Sequence, residues 1–436
     1  MSRNLERTIA YSFPLISILF EILKSFSKGE NQLLAARNYA FMLFILYIII
    51  KYFKTAIRSN IFLLLLMAYL AGILITEGAS LSRFNRFSIA FDAKMLLPVG
   101  FILTSTYSDI RKLHRLFLVT NILFVLSILA FSALGIGTNV YGGTSGFKVG
   151  YFTFSAIYIG SFLLIIMPNQ VADASGKWKR IGLLLLACVT LIILILSVRR
   201  TSVALVLLGM AVFVFQYRNY ISKIAGYAFA AVLGLVLLFP LYQDTLMKQM
   251  ESRARIFGQS GALVRVEDEM RWIETLAVWT ERIGGHDFGE LMLGDHLFDS
   301  VGRYSRYVDR DRPLHLDFNI LLHGSGLIGL TLWLLFYFRL LHQFLQQRVP
   351  LGIPQEKMLV TTYFAILVAH VFLVFSGGML TLTFNLISFL YMGAILGLFR
   401  HQYESGQLMD SRSKELVAGH RGAGGWARLS GKKPQP

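Results

Sequence analysis

Cysteine is almost absent: Cys188 is the single one among 436 residues, and it lies inside an apolar run. That excludes a disulfide framework within the chain and any metal centre built on thiolates. Charge is scarce as well. Asp, Glu, Lys and Arg make up 15% of the chain, where a soluble domain carries about a quarter. The acids are the scarcer sign, 25 against 42 basic residues. Short segments of polar–apolar alternation are missing, which excludes a transmembrane barrel. There is no internal repeat of the kind many transporters show, and no nucleotide-binding signature.

What the sequence does have is length without polarity. Residues of apolar type reach 55% and the mean hydropathy is +0.58. Apolar runs recur at about 20 residues, the length that crosses roughly 30 Å of hydrocarbon. In lipid such runs are helical, because only a helix satisfies its own backbone there. The expected fold is therefore an all-α polytopic membrane protein with about twelve transmembrane helices. The spans fall near 8–24, 38–53, 60–76, 87–106, 116–136, 151–168, 181–198, 201–217, 223–241, 318–340, 358–376 and 379–399. The first follows a basic start (Arg3, Arg7) and has no small-residue cleavage site, so it reads as an anchor that stays.

The net charge of +17 would suggest nucleic acid as a partner in a soluble protein. In this chain it sets topology, and no nucleic acid is expected. Lys51, Lys54 and Arg58, then Arg111, Lys112 and Arg115, then Lys177, Lys179 and Arg180 fall in alternate loops with both termini. The positive-inside bias places those loops and both termini in the cytoplasm and makes the helix number even. The division that follows is helices 1–9 over 1–241, a large outer loop over 242–317, helices 10–12 over 318–399, and a basic, disordered tail over 400–436.

A loop this long in a compact bundle points to function. Part of it has helical spacing: Leu263, Val266, Met270, Ile273 and Leu276 form an apolar stripe, to lie on the bilayer or pack on the bundle. Arg265, Asp268, Arg271, Trp272 and Thr275 fall on the other face. The stretch from Gly284 to Asp299 reads as irregular.

Ionisable groups at the outer face are the candidates for chemistry. Ser197-Val198-Arg199-Arg200-Thr201 joins two apolar runs through a short turn. The plainer reading is a snorkelling pair at helix ends; the functional one is an anion site, since arginine offers a planar fork to phosphate oxygens. Arg271 has Glu267 one turn before it, so it is either a surface ion pair or an anion contact, and Arg265 has the same status. His315 stands where the loop re-enters the membrane, as a structural interfacial histidine or as a base near neutrality. Asp287, Asp295, His296, Asp299 and His286 have no metal-ligand spacing. Asp92 and Lys94 fall inside the fourth span, either paired with each other or lining a path.

From His315 the chain reads His315-Leu316-Asp317-Phe318-Asn319-Ile320-Leu321-Leu322-His323-Gly324-Ser325-Gly326-Leu327-Ile328-Gly329-Leu330. This resembles the hallmark of the O-antigen ligase and O-antigen polymerase superfamily: a His closing the long periplasmic loop, an aliphatic run, then Gly-Leu-Ile-Gly-Leu. It departs at Leu316, often Asn in the family, and at Asn319, often Leu. Ser197-Val198-Arg199-Arg200-Thr201 resembles the family's Ser-Arg-Thr with one residue inserted, which favours Arg200 and leaves Arg199 open. Arg271-Trp272, with Trp279 downstream, resembles the family's loop arginine and its aromatic-bearing helix. Leu291-Met292-Leu293-Gly294 resembles the loop segment that ends in a glycine turn. The resemblance covers about 140–395.

It implies a GT-C-like fold in the bacterial inner membrane, with the long periplasmic loop between helices 9 and 10. The implied donor is a glycan on undecaprenyl diphosphate. The implied acceptor is a sugar hydroxyl, on the lipid A core for a ligase or on another lipid-linked glycan for a polymerase. Transfer in such proteins is inverting and needs neither metal nor cofactor. His315 takes the role of catalytic group, Arg200, Arg199 and Arg271 bind the diphosphate, and Arg265 and Asp317 are secondary. Membrane lipids are the remaining partner. A twelve-helix solute or lipid-linked glycan transporter is the alternative, and a scaffold without catalysis is a third class.

Overall fold

The computed structural model describes residues 1–27, 32–139, 147–152, 154–197, 200–217, 243–244, 246–248, 270–285, 287–304, 314, 316–347, 354–374 and 382–404. Their elements are α1 (Arg3–Phe26), α2 (Gln32–Lys51), α3 (Phe53–Thr76), α4 (Leu81–Leu103), α5 (Tyr107–Leu134), α6 (Phe154–Asp173), α7 (Lys177–Leu196), α8 (Arg200–Gln216), α9 (Met270–Ile283), α10 (Phe288–Leu293), α11 (Asp317–Gln347), α12 (Pro354–Val374) and α13 (Leu382–Glu404). Among the described residues there is no strand, only isolated backbone bridges joining Gly137 to Gly150 and Val149 to Tyr151. Eight of the helices are long and apolar enough to cross a membrane, and α6 and α8 contribute shorter apolar helices. The chain is an all-α, multi-pass membrane protein. Of the expected spans, 223–241 lies outside the described residues; the others fall on α1–α8 and α11–α13.

Polar caps set several boundaries. Ser2 and Ser80 accept the amides of Leu5 and Arg83 at the starts of α1 and α4. Thr106 and Asp109 form a reciprocal capping box at the start of α5, which ends at left-handed Gly135. The centre of the bundle is the pair α4 and α13, buried from Phe87 to Leu103 apart from Ile89 and from Phe384 to Phe399. Their backbones touch at Gly100, Gly393 and Gly397: a Cβ at any of these would strike the facing main chain. Close approach through small residues is how helices associate where lipid supplies no hydrophobic drive.

Two helices break. In α3, Asn60 leaves the helical conformation; its side chain accepts from the Leu63 amide at 3.2 Å and donates to the Phe336 carbonyl at 3.2 Å, which replaces the lost backbone partners. In α11 the break is at Gly326, with φ +60°. Asp317, at the start of α11, feels Tyr337 electrostatically, although a straight helix would set positions so far apart in sequence at about 30 Å. The first limb of α11 therefore turns sharply against the second. The loop packs into this elbow. A Cβ at Gly294 (φ +76°) would strike the backbone of Ser325 and Gly326, and one at Gly326 would strike Met292.

The structure amends the sequence reading at several places. The stretch from Gly284 to Asp299 is not all irregular, because Asp287 caps the short helix α10 by accepting from the Gly289 and Glu290 amides. Of the two places left open for the stripe of α9, bilayer or bundle, Leu276 takes the outward one: it is exposed, while Glu274 and Arg282 are buried. Helix α13 runs on to Glu404, into the stretch assigned to the tail, whose remainder lies outside the described residues. Leu263 and Val266 of the expected stripe, and the glycine-rich stretch 141–146, also lie outside them.

Replacing Gly326 with Ala should cost about 1–3 kcal/mol, because a side chain must then adopt a left-handed conformation and also displace Met292. The expected outcome is a lowered thermal midpoint of the detergent-solubilised protein, with Gly329→Phe of the same helix too gross a control and Gly72→Ala, which meets open space, the proper one. An unchanged midpoint for Gly326→Ala would remove the elbow from the account.

Candidate functional site

The expected site residues divide by what the structure describes. Arg199, Arg265 and His315 lie outside the described residues. Arg200 is the first residue of α8 and Arg271 the second of α9; their side chains are not among those described. Asp317 begins α11 and is buried.

Helix α9 lies on the first limb of α11 in a definite register. Asn319 Nδ2 donates to Thr275 Oγ1 at 3.1 Å. Nearly two turns on, Arg282 Nη2 donates to His323 Nδ1 at 2.9 Å. Thr275 and Arg282 share one face of α9, and Asn319 and His323 share one face of α11. One turn before Thr275, the same face of α9 carries Arg271.

Arg282, His323 and Tyr304 form the buried staple of the loop. A guanidinium only donates, so Nδ1 of His323 accepts, and the ring proton sits on Nε2 facing the Asp299 carbonyl at 3.4 Å. The Tyr304 hydroxyl is 2.9 Å from the same Nδ1, and the charge of Arg282 acts on it. Burial pushes the Tyr304 phenol above its ordinary range. Arg282 also reaches Glu290 Oε2 at 2.7 Å, which joins α9 to α10. Arg303 Nη1 bonds Asp295 Oδ2 at 2.6 Å. Burial alone would raise the Asp295 carboxyl; its hydrogen bond to Arg303, with the charges of Arg303, His296 and Arg282, holds it below the ordinary carboxylate value.

A second clamp fixes the loop to the ends of α3 and α4. His296 and Phe298 both have positive φ, 52° and 64°, a strained conformation for residues with a side chain. The turn aims carbonyls at arginines: Arg83 Nε donates to Leu297 O at 2.7 Å and Arg86 Nη1 to Phe298 O at 2.7 Å. Glu77 pairs with Arg83 and accepts the His296 amide at 3.0 Å. The Tyr69 hydroxyl donates to Leu293 O at 3.3 Å and lies 3.2 Å from Ser325 O.

Below the loop the bundle keeps a buried polar group. Lys94 of α4 has Asp317 as its charge neighbour and lies near His370 of α12. His370 Nε2 is 2.7 Å from Ser388 Oγ of α13. Asp92 and Lys94 are not each other's partners: two residues apart on a helix they point to different sides, and Asp92 faces Arg37 of α2 instead. Asp317 is thus held in the interior beside a lysine, at the end of the bundle where the loop closes.

Sequence reasoning passed over Arg282, His323 and Tyr304. A usable signal was present for the first two. Arg271 and Arg282 are three turns apart on one helical face, and His315, Asn319 and His323 recur at four-residue steps. Tyr304 has no such signal. No family model matches the chain, and no curated protein matches it in sequence.

Arg282→Ala should weaken the attachment of α9 by about 1–3 kcal/mol, the cost of leaving buried partners unsatisfied. Limited chymotrypsin digestion of the protein in vesicles should then cut within the loop faster than in the unaltered chain, while the bundle stays resistant. An unaltered cleavage rate would show that the staple does not hold the helix.

Proposed function

We propose that this chain is a metal-independent, inverting membrane glycosyltransferase. It takes a glycan from undecaprenyl diphosphate and passes it to a sugar hydroxyl in surface polysaccharide or O-antigen assembly. The observation that carries the reading is the register of α9 on α11. Helix α9, which carries Arg271, lies along the first limb of α11, which follows His315 in the chain, and this supports reading the two motifs as parts of one site. The fold is then a twelve-helix, GT-C-like one in the bacterial inner membrane, with both termini cytoplasmic and the loop periplasmic.

The chemistry asks little of the protein beyond charge and placement. The acceptor oxygen attacks the anomeric carbon, its proton passes to a base, and the bond from that carbon to the diphosphate oxygen breaks. His315 is the base, with a ring able to titrate near neutrality. Arg271 and Arg200, or Arg199 in its place, take the charge that develops on the leaving diphosphate. Arg265 stands as a further contact from the loop. Asp317 is better suited to position than to react, since it is buried beside Lys94.

The donor's tail also finds a place. A groove of about 650 Å³ runs between α11 and α12, lined by Leu334, Phe338, Leu341, Phe364, Leu367 and Val371 among others, almost wholly apolar. It reaches Tyr337, whose ring is 6.4 Å from that of His370. A polyprenyl chain in this groove has its polar end beside the buried polar group under the loop. Ligase and polymerase share this chemistry and differ in the acceptor.

The test is transfer in vitro with purified protein, a lipid-linked glycan donor and an acceptor. His315→Ala and Arg271→Ala should each lower turnover by about 100-fold or more, the scale of a lost acid–base or charge-stabilising group, with membrane insertion intact. Near-normal turnover in both would sink the assignment, and loss of activity in EDTA that a divalent ion restores would overturn the metal-free mechanism. Deletion cells that keep long lipid-linked chains but carry no glycan on the lipid A core identify a ligase; cells with a single capped repeat identify a polymerase.

A further inference from the structure

Helix α9 is inverted relative to a helix bathed in water. Its packed face carries Glu274 and Arg282 with Ala277 and Val278, all buried. Its outward face carries Trp272, Leu276, Trp279 and Ile283, which are 47%, 50%, 38% and 51% exposed. These positions follow one another at steps of four, three and four residues, so they fall within about 60° of one another around the helix. A narrow apolar stripe with two tryptophans, on the side away from the bundle, needs a medium that is neither water nor the protein's own core.

We infer that the outward stripe of α9 docks the loop onto the lipid surface on its own side of the membrane, with Trp272 and Trp279 at the headgroup–acyl boundary. Three observations favour lipid as the occupant. The chain is a multi-pass membrane protein, so lipid surrounds the bundle whose rim carries this helix. Tryptophan with aliphatic neighbours is the composition of membrane interfaces and of helices that lie in them. Further large apolar side chains are exposed on the same part of the molecule: Phe288 and Leu293 of α10, and Ile75 and Leu81 at the ends of α3 and α4, to which Tyr69 and Arg83 tie this part of the loop. The Thr275 and Arg282 contacts pin the flank beside the stripe to α11. Docking therefore holds the Arg271-bearing face of α9 toward the bundle, whatever chemistry takes place there. The inference goes beyond the proposed transfer reaction and does not depend on it.

The test is tryptophan quenching in the full-length protein reconstituted into phosphatidylcholine vesicles whose acyl chains carry bromine near the headgroup. Trp178→Phe and Trp426→Phe remove two other emitters, and Trp333, which is buried, remains as an internal report on the folded bundle. The expected result is loss of most emission from Trp272 and Trp279 in brominated vesicles, with little quenching by aqueous acrylamide. Trp272→Phe/Trp279→Phe should abolish the effect. Leu276→Glu/Ile283→Glu should open the two tryptophans to acrylamide while Trp333 emission stays unchanged. Emission indifferent to brominated lipid and open to acrylamide overturns the inference. So does protection that vanishes when the protein is diluted into excess lipid, which marks a second copy as the occupant. Protection that arises only with added oligosaccharide also overturns it, in favour of a sugar platform.

Discussion

The loop end of this molecule depends on one backbone contact, the meeting of Gly294 with the turn at Gly326. Neither glycine could be any other residue there without a collision, and both have positive φ. The break at Gly326 gives α11 its sharp turn, and the turn sets the first limb of α11 where α9 can lie along it. Thr275–Asn319 and Arg282–His323 follow from that placement. The loop segment Leu291–Gly294 and the helical segment Gly326–Leu330, two separate motifs in the sequence, are therefore packed against each other. The glycines serve close packing between backbones, a more specific task than flexing a membrane helix.

Around that contact, arginine does two kinds of work. Arg83, Arg86, Arg282 and Arg303 are tied to loop carbonyls or carboxylates. Each holds backbone or acid in a fixed place, and the strained turn at His296–Phe298 persists because its carbonyls face two of them. A charge so engaged is poorly placed to follow a moving diphosphate. These four contacts give positive charge at this end a structural role as well as a topological one.

The membrane-spanning helices were legible in the sequence because hydropathy over a bilayer's width is a strong, local signal, and α1–α3, α5, α7 and α11–α13 all carry it. The orientation of α9 was not legible. The stripe with Ile273 and Leu276 left bilayer and bundle both open, and only the fold shows Leu276 turned outward. The partners of Asp92 and Lys94 were half legible: helical geometry separates them, but only the fold supplies Arg37 and Asp317. Which of Gly324, Gly326 and Gly329 breaks α11 is decided by the loop that packs on it, a contact between segments far apart in sequence. The candidate site was legible as motifs, and the staple of Arg282, His323 and Tyr304 that sets their elements in register was not.

The central claim is that the faces carrying Arg271 and His315 meet at one place, and cysteine cross-linking tests it most directly. With Cys188 replaced by Ser, Arg271→Cys and His315→Cys should be joined by a short bifunctional thiol reagent as readily as the control pair Thr275→Cys and Asn319→Cys, which the structure places in contact. Cross-linking of the control pair with none between positions 271 and 315 would contradict the account.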